Sequence, residues 1–479
     1  MTDRPSLDPE DWSAFRALAH DMLDKALDHV EGAAERPVWR PAPADVKNAI
    51  AEPTPLEPQG AAKAAEDLLR DILPYATGNT HPRFFGWVHG AGSAGSIVAE
   101  AMQAAMNANL GGRDHAPIYV ERQVIAWMRE VFGFPSDASG LVVSGTSIAT
   151  LIALATARLV HAPYDVKREG FRQDTSKMVG YTSAEGHSCV AKSFDQLGLG
   201  LDALRKIPVG DDYSMDLDAL RAAVAADRAA GHVPFCVVGA AATVNTAAMD
   251  DLDAIADLAA AEGLWFHVDG AFGAVGVLSD KIRPRLKGIE RADSLAFDFH
   301  KWMPVAYDAG MVLIRDGDAH RRAFSLRAEY LKGEQRGLAG GDPWFCDFGP
   351  ELSRGFRALK IWFALKEHGL RRIGEKVEDN CAQAAYLADL VDRREGVETA
   401  APVGLNIACF RYVAAPDASL DDLNRRIVID LQESGIAAPS TTTLKGRTAI
   451  RVNITNHRTT LKDMEILLDA VMEAGERLA

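Results

Sequence analysis

The middle of the chain alternates short apolar runs with amphipathic stretches. The runs are rich in aliphatic, aromatic and β-branched residues, and each stops at small or polar side chains, as buried strands do. The strands are predicted near residues 141–143, 178–183, 235–239, 263–269 and 293–299. Helical periodicity to about residue 160 and over about 250–262 separates some of them. Strands that alternate with helices favour a mostly parallel sheet covered by helices, so this region is predicted to be an α/β domain.

The N-terminal segment has a different pattern. Residues 9–32 carry apolar side chains at helical spacing and predict an amphipathic helix, which we interpret as docked on a core. Six prolines between 37 and 58 exclude a continuous helix or a central strand in the next segment. The helix is therefore expected to be an arm laid over another domain or subunit.

Beyond about residue 351 the pattern becomes a second alternation of helices and strands. We predict a helix to about 394, strands near 405–412 and 447–454, and helices at 420–434 and 460–477. This predicts a smaller α+β domain. The chain is accordingly divided into a helical arm for dimerisation (1–88), a large domain (89–358) and a small C-terminal domain (359–479).

Composition limits the kind of partner. The 479 residues are 48% hydrophobic and carry a net charge of −15, which argues against a nucleic-acid backbone or an anionic membrane as the main partner. The five cysteines are scattered and include no Cys-x-x-Cys pair, so neither a disulfide framework nor a zinc ribbon is indicated. No apolar run is long enough to cross a bilayer and no export signal is recognisable. We expect a cytoplasmic protein that binds a small molecule and no metal.

Candidate chemistry lies where two predicted strands end. The run 263–269 ends in Asp269, and the run 293–299 is followed by His300 and Lys301. Pyridoxal phosphate requires a lysine for covalent attachment and an acid that keeps its pyridine nitrogen protonated. The same two residues could instead form a buried ion pair, or lie apart in solvent.

Other strand ends supply residues that fit the same cofactor. Thr146 and Ser147 begin a helix, where backbone amides and hydroxyls make a phosphate cradle, although ordinary N-capping uses the same residues. His187 and Thr243 follow two further strands. Open α/β sheets bind ligands at this edge, so the combination favours pyridoxal phosphate over any of the residues taken alone.

A glycine-rich stretch offers a competing interpretation. Residues 90–95 match the dinucleotide fingerprint G-x-G-x-x-G, with Asp114 near the expected offset. The preceding residues, which include His81, Pro82 and His89, make a poor parallel strand, and no second apolar strand follows the helix at 95–110. The aromatic residues Phe84, Phe85 and Trp87 in front of it either belong to a core or line an apolar pocket.

Several motifs in series resemble one enzyme family. They are His300-Lys301-Trp302, Phe266-His-Val-Asp269, Ala292-Asp-Ser294, Thr150-Leu-Ile-Ala-Leu154, His81-Pro with Phe84-Phe85, Tyr330-Leu-Lys332 and Phe356-Arg-Ala-Leu-Lys-Ile-Trp362. Together they resemble the group II pyridoxal-phosphate-dependent decarboxylases, most closely the aromatic-L-amino-acid decarboxylase branch. The resemblance runs from about residue 10 to the end. It implies PLP fold type I and a homodimer whose active sites are shared between subunits.

The resemblance also assigns roles to individual residues. Lys301 matches the Schiff-base lysine, Asp269 the pyridinium partner and His187 the histidine stacked on the ring. The remaining positions match the small residue under the ring (Ala271), the phosphate site (Thr146, Ser147, His300), a threonine near the ring hydroxyl (Thr243) and the mobile-loop tyrosine associated with protonating the carbanion (Tyr330).

The chain departs from the family pattern at two places, and the second departure affects the expected substrate. Phe299 stands where the family often has proline, and residues 111–115 replace an aromatic-containing run with one that carries Arg113. We expect decarboxylation of an aromatic L-amino acid in a pocket that includes Phe85 and Trp87. The alternatives are an acidic substrate recognised by Arg113, an aminotransferase or aldolase of the same fold, and a non-catalytic homologue. Tyr330 favours the decarboxylases over the aminotransferases.

Overall fold

The computed structural model describes residues 6–170, 177–326 and 334–479. Its helices are α1 Trp12–Glu31, α2 Ala44–Ile50, α3 Ala61–Asp67, α4 Ala94–Met106, α5 Ala116–Phe132, α6 Thr146–His161, α7 Val166–Glu169, α8 Ser188–Gln196, α9 Leu217–Ala229, α10 Leu252–Glu262, α11 Phe299–Trp302, α12 Gly317–Phe324, α13 Ala358–His368, α14 Leu370–Asp392, α15 Leu420–Glu433 and α16 Leu461–Leu478. Its strands are β1 Ser139–Val143, β2 Met178–Ser183, β3 Leu204–Ile207, β4 Val233–Ala240, β5 Trp265–Asp269, β6 Ser294–Asp298, β7 Gly310–Ile314, β8 Val397–Thr399, β9 Ile407–Tyr412, β10 Ser440–Leu444 and β11 Arg447–Asn453.

The large sheet brings the predicted strand ends to one edge. Within the described residues it has seven strands in the order β1-β7-β6-β5-β4-β2-β3. The pairs β6–β5, β5–β4, β4–β2 and β2–β3 are parallel, and β7 runs antiparallel to both of its neighbours. Every strand except β7 therefore points the same way. The residues that follow β1, β2, β4, β5 and β6 share one edge, as the strand pattern predicted.

Local sequence explains how β5 is placed in the centre of the sheet. Each residue of β5 and β6 is buried, as expected for strands covered on both faces. Helix α10, which lies between β4 and β5, begins where Asp251 accepts a hydrogen bond from the Ala254 N–H, and ends at Gly263 in the left-handed conformation. The chain therefore enters β5 immediately after the helix, and the strand delivers Asp269 to the sheet edge.

The smaller sheet is antiparallel, with the order β10-β11-β9-β8. Helices α14, α15 and α16 supply apolar side chains to the core that covers it. The N-terminal segment contributes to this core as well, because Phe85 is fully buried in it. The Phe85 N–H donates to the Ala438 carbonyl at 2.9 Å, and the Asn453 N–H donates to the Phe85 carbonyl at 3.0 Å. The domain boundaries at 88 and 358 stay a prediction.

Two predicted helices differ in the structure. We predicted that the N-terminal helix docks on a core, but no residue of α1 is buried, and Trp12, Phe15 and Leu23 are exposed. That prediction is wrong for the isolated chain. The helix itself is present, and its role as an arm stays a prediction. The helix predicted to run to about 394 is interrupted at Gly369, whose positive φ ends α13 and turns the chain into α14. None of the described helices combines the length and apolar composition that spanning a bilayer requires.

Candidate active site

Lys301 lies on a single helical turn, α11, at the end of β6. The turn places residues 298 and 301 on one side, and the Lys301 Nζ lies 2.9 Å from the Asp298 Oδ2. The Asp298 side chain is 2% exposed, whereas 22% of the Lys301 side chain is exposed. Burial alone would lower the pKa of the Lys301 amine, but the Asp298 carboxylate raises it above its ordinary value, with a smaller contribution from Asp269. The amine is therefore held as an ammonium group.

Asp298 also reaches the start of α6. Its Oδ1 accepts a hydrogen bond from the Thr146 N–H at 2.7 Å. The Thr146 hydroxyl is buried and has no hydrogen-bond partner among the described residues, while Ser147 beside it is exposed. A buried hydroxyl with no partner is costly, and it points to a polar ligand at this helix start. Sequence reasoning did not identify Asp298, because its position in an apolar run does not show which way its carboxylate points.

Asp269 ends β5 and is almost fully buried. Its Oδ1 accepts a hydrogen bond from the Ala271 N–H at 3.2 Å, and its Oδ2 lies 3.9 Å from the Cys189 thiol. Burial raises the pKa of Cys189, and the charge of Asp269 raises it further, so this thiol stays protonated. The carboxylate therefore keeps one weakly bonded oxygen on the side of Cys189.

His187 precedes α8 and caps it. Its Nδ1 accepts a hydrogen bond from the Cys189 N–H at 3.2 Å, which fixes the ring while one face stays exposed. Partial burial lowers the pKa of His187; the Asp269 carboxylate opposes this effect and the Lys301 ammonium adds to it. Charges from both residues act on the same imidazole. The structure thus brings His187, Asp269 and Lys301 to one site.

A series of ring contacts leads from this site to Trp87. The His300 ring lies 4.3 Å from the Tyr307 ring, Tyr307 lies 6.0 Å from His89, and His89 lies 5.7 Å from Trp87, measured between centroids. The Trp87 side chain is 56% exposed. Burial lowers the pKa of His89 and the charge of Lys301 lowers it further. Sequence reasoning assigned no role to His89 or Tyr307, because neither belongs to a motif anchored on a strand end.

His300 is fixed by the chain that follows it. Its Nδ1 lies 3.0 Å from both the N and the O of Ala309, and its Nε2 lies 3.8 Å from the Asp298 Oδ2. Burial lowers the pKa of His300, with Asp298 opposing the effect, so the neutral imidazole is favoured. His300 and Thr146 both adjoin Asp298, so His300 can offer a hydrogen bond at the α6 end of the site.

Four predicted residues remain, and each has a different outcome. Thr243 is buried in the turn after β4, where its hydroxyl lies 3.3 Å from that of Thr246. Phe85 is in the small-domain core, so we correct its assignment to an open substrate pocket. Arg113 stacks on the Trp344 ring, with 4.5 Å from the Arg113 Cζ to the ring centroid. Tyr330 lies outside the described residues.

The donor set fits pyridoxal phosphate. The partnerless Thr146 hydroxyl and the start of α6 offer hydrogen bonds to a phosphate, the Lys301 amine is accessible, and Asp269 has the charge that a pyridinium nitrogen needs. One carboxylate already occupies part of the cradle, because Asp298 accepts the Thr146 N–H. A bound phosphate would therefore share or displace that hydrogen bond. Among the described residues, no group of three or more His, Cys, Asp or Glu side chains is placed to hold a metal ion.

Comparison with known proteins supports the same interpretation of the chain. Residues 43–413 match the family model described as the pyridoxal-dependent decarboxylase conserved domain. The chain is 31% identical over 473 residues to the aromatic-L-amino-acid decarboxylase of Bacillus atrophaeus, covering 97% of this chain and 96% of that protein. It is also 31% identical over 430 residues to the L-2,4-diaminobutyrate decarboxylase of Rhizobium meliloti strain 1021, covering 89% and 84% of the two chains.

Solved structures agree on the fold. The crystal structure described as Oryza sativa TDC with PLP and tryptamine superimposes with a TM-score of 0.90 at 24% identity, covering 98% of this chain and 99% of that chain. At this identity the likeness establishes the fold, which is that of the type I pyridoxal phosphate enzymes. The family match extends over most of the chain, and Lys301, Asp269 and His187 meet at one sheet edge. The chain therefore belongs to the pyridoxal-dependent decarboxylase family and is a pyridoxal-phosphate-dependent carboxy-lyase.

Proposed function

We propose that the protein decarboxylates an aromatic L-amino acid to the corresponding amine and carbon dioxide. The observation that carries the proposal is the ring series Trp87, His89, Tyr307 and His300, which ends beside Asp298 and Lys301. Aromatic and imidazole rings in contact form an apolar surface that accepts another flat ring by stacked or edge contacts. The exposed face of Trp87 leaves room for such a ring.

The proposed roles follow from the positions of the side chains. Bound pyridoxal phosphate supplies an electron sink for the charge released when carbon dioxide leaves. Lys301 would hold the cofactor covalently, and Asp269 would keep a proton on the pyridine nitrogen by its fixed negative charge. Thr146, Ser147 and His300 would bind the phosphate. His187, fixed by the Cys189 N–H, would orient the ring from the side of α8.

Other substrate classes fit less well. An acidic side chain would need a free cation, but the Arg113 guanidinium is stacked on Trp344. A cationic side chain, such as that of 2,4-diaminobutyrate, would need a free carboxylate near the ring series. Asp308 follows Tyr307 in sequence, and its Oδ1 accepts a hydrogen bond from the Arg357 Nε at 3.1 Å. Neither charged group is available without breaking an existing contact.

The proposal includes a cytoplasmic homodimer with shared active sites. The exposed apolar residues Trp12, Phe15 and Leu23 of α1 support it, as do Val98 and Met102 of α4. Contiguous apolar surface of this kind is typical of an interface that a second subunit covers.

We also propose that Tyr330 protonates the carbanion, as its motif suggests. Tyr330→Phe removes only the hydroxyl, so carbon dioxide loss should continue while protonation slows. A longer-lived carbanion is exposed to oxygen, and we expect aldehyde, ammonia and peroxide in place of part of the amine. Product analysis under air tests this. Amine formed at the rate of the unmodified enzyme, without aldehyde or peroxide, would refute it.

A substrate panel tests the main proposal. The purified protein, loaded with pyridoxal phosphate, is supplied in turn with tryptophan, tyrosine, dihydroxyphenylalanine, phenylalanine, histidine, glutamate and 2,4-diaminobutyrate, and amine and carbon dioxide are quantified. We expect the highest kcat/KM among the aromatic substrates, by about tenfold or more over the charged ones. Trp87→Ala should raise KM for aromatic substrates, whereas Arg113→Ala should not. A higher kcat/KM for glutamate or diaminobutyrate would overturn the assignment.

A further inference from the structure

A cavity of about 280 Å³ lies behind the Lys301 segment. Its walls come from the residues that lead into α4, from Trp302 and the two residues after it, from the first turns of α14, and from the loop 455–458. At about 30 Å³ for each water molecule, it has room for about nine waters or one small organic molecule. The lining does not include Lys301, Asp269 or His187, so the cavity is separate from the cofactor site.

The cavity is positively charged in an acidic protein. Three basic side chains line it, Arg372, Lys376 and Arg458, against the single carboxylate of Glu367. The chain as a whole has a net charge of −15. Arg372 and Lys376 are exposed, so solvent screens their repulsion, but together with Arg458 they offer three positive charges to an anion in one concave space.

Two of these cations have no carboxylate to neutralise them. Among the described residues neither Arg372 nor Arg458 forms an ion pair, and the nearest acceptor of Arg458 is the Gly92 carbonyl, 3.5 Å from its Nη1. Burial lowers the pKa of Arg458, so its charge carries a desolvation cost. Lys376 is paired with Asp379 at 2.6 Å, but both side chains are about half exposed, which leaves that pair weak.

Two histidines complete the polar lining. Burial lowers the pKa of His457 to about 4, and the positive charges of Arg458, His368 and Lys376 lower it further. All three of these residues line the cavity together with His457. At neutral pH His457 is a neutral ring that can donate one hydrogen bond, while its neighbours supply charge.

Apolar residues of the lining adjoin the catalytic lysine. Trp302 follows Lys301 directly, and its indole N–H donates to the Asn380 Oδ1 at 3.0 Å across the cavity wall. Ala91 follows Gly90, where a side chain would collide with the backbone of His300 and Lys301. A ligand that filled the cavity would therefore restrain the segment that carries Lys301 from behind.

We propose that this cavity is a binding site for a small phosphorylated molecule, with the phosphate held by Arg372, Lys376 and Arg458. A dianion matches a cluster of two guanidinium groups and one ammonium better than a single carboxylate does, because each oxygen can accept charge-assisted hydrogen bonds. The apolar wall formed by Trp302 and Ile373 would contact the organic part of the ligand. Inorganic phosphate and phenyl phosphate carry the same charged group, and comparing them distinguishes binding of free phosphate from binding of an ester.

The test uses the holoenzyme, so that the cofactor already fills the phosphate cradle at α6. Inorganic phosphate and phenyl phosphate are titrated at constant ionic strength, with chloride as the reference anion, and heat of binding and thermal midpoint are measured. Arg372→Gln with Lys376→Gln removes two exposed charges from the rim and should leave the fold intact. The matched control is Arg371→Gln with Arg393→Gln, which removes two exposed positive charges that do not line the cavity.

We expect both phosphates to bind and to raise the midpoint, with phenyl phosphate the tighter. Loss of two rim charges should weaken binding by about tenfold, and the control pair should bind like the unmodified holoenzyme. Equal affinity in the rim and control variants would overturn the site. Binding no stronger than that of chloride would also overturn it. So would the finding that the N-terminal arm of a second copy fills the cavity.

Discussion

The segment that carries Lys301 and the N-terminal helix α1 are both rich in apolar residues, yet their surroundings are opposite. In β6 every residue is buried, and the polar groups at its end bond to α6, to residue 309 and to one another. In α1 no residue is buried, and two aromatic rings are exposed to solvent. Apolar surface that finds no cover within one chain needs a second surface. A single chain therefore buries the segment at the centre of the site but leaves the apolar residues of α1 uncovered.

The largest effect should come from Lys301→Ala. If Lys301 holds the cofactor as proposed, turnover should fall by at least about four orders of magnitude and the visible absorbance of the bound cofactor should disappear, because covalent attachment needs this amine. Thermal unfolding should stay cooperative. Lys192→Ala, which removes an exposed lysine near His187, is the control and should stay active. A cofactor adduct trapped by borohydride on another lysine would contradict this assignment.

Asp269→Asn should produce the next largest loss. An amide cannot hold the pyridinium charge, so we expect kcat to fall by about 10² to 10³ while part of the cofactor binding remains. The change is measured by steady-state kinetics alongside cofactor affinity from absorbance. Near-normal kcat in this variant would show that Asp269 is not the partner of the pyridinium nitrogen.

Replacing Trp12 and Phe15 by serine tests the other side of the comparison. If a second subunit covers α1, losing both rings should weaken self-association by about 30-fold or more, as for central interface anchors. Sedimentation at several concentrations measures this effect. Asp24→Ser changes an exposed polar position of the same helix and should have little influence. Unchanged association of the double variant would show that these rings are not interface anchors.

The smallest effect is expected from Asp298→Asn, and it depends on pH. Asp298 raises the pKa of Lys301, and only the neutral amine attacks the cofactor carbonyl, so loading should be slow at neutral pH and accelerate as pH rises. Without the carboxylate the pKa of Lys301 falls, and the loading profile should move to lower pH. Cofactor-free protein is mixed with pyridoxal phosphate, and stopped-flow absorbance follows the rate of loading at each pH. An unchanged profile would mean that Asp298 does not control the amine.

Much of the site could be predicted because strand ends are visible in the sequence. The hydrophobic pattern located β2, β4, β5 and β6, and parallel geometry then placed His187, Asp269 and Lys301 together. The pattern missed β7, which runs against its neighbours and follows the lysine turn by only a few residues. It also missed Asp298, since a carboxylate in the last position of an apolar run gives no sign of the direction in which it points.

Residues before the large domain were harder to interpret. The aromatic residues at 84–87 were expected in one group, but Phe85 is in the small-domain core and Trp87 is largely exposed. Strand-like alternation would place Phe85 and Trp87 on the same side, but Trp87 has a positive φ of 49°, which breaks the alternation and is not visible in the sequence. The interruption at Gly369 was overlooked because the periodicity continues on both sides of it.

The insertion of Phe85 into the small-domain core has a consequence for how the protein is made. The strand partners of this residue, around 438 and 453, are synthesised more than 350 residues later. During synthesis Phe85 stays without its final neighbours until nearly the whole chain has left the ribosome, because contacts so distant in sequence form late. A fragment that began at residue 359 would contain the strands and helices of this core but lack the ring that fills it. Loss of such a ring costs about 3–5 kcal/mol, so the fragment would be poorly stable on its own.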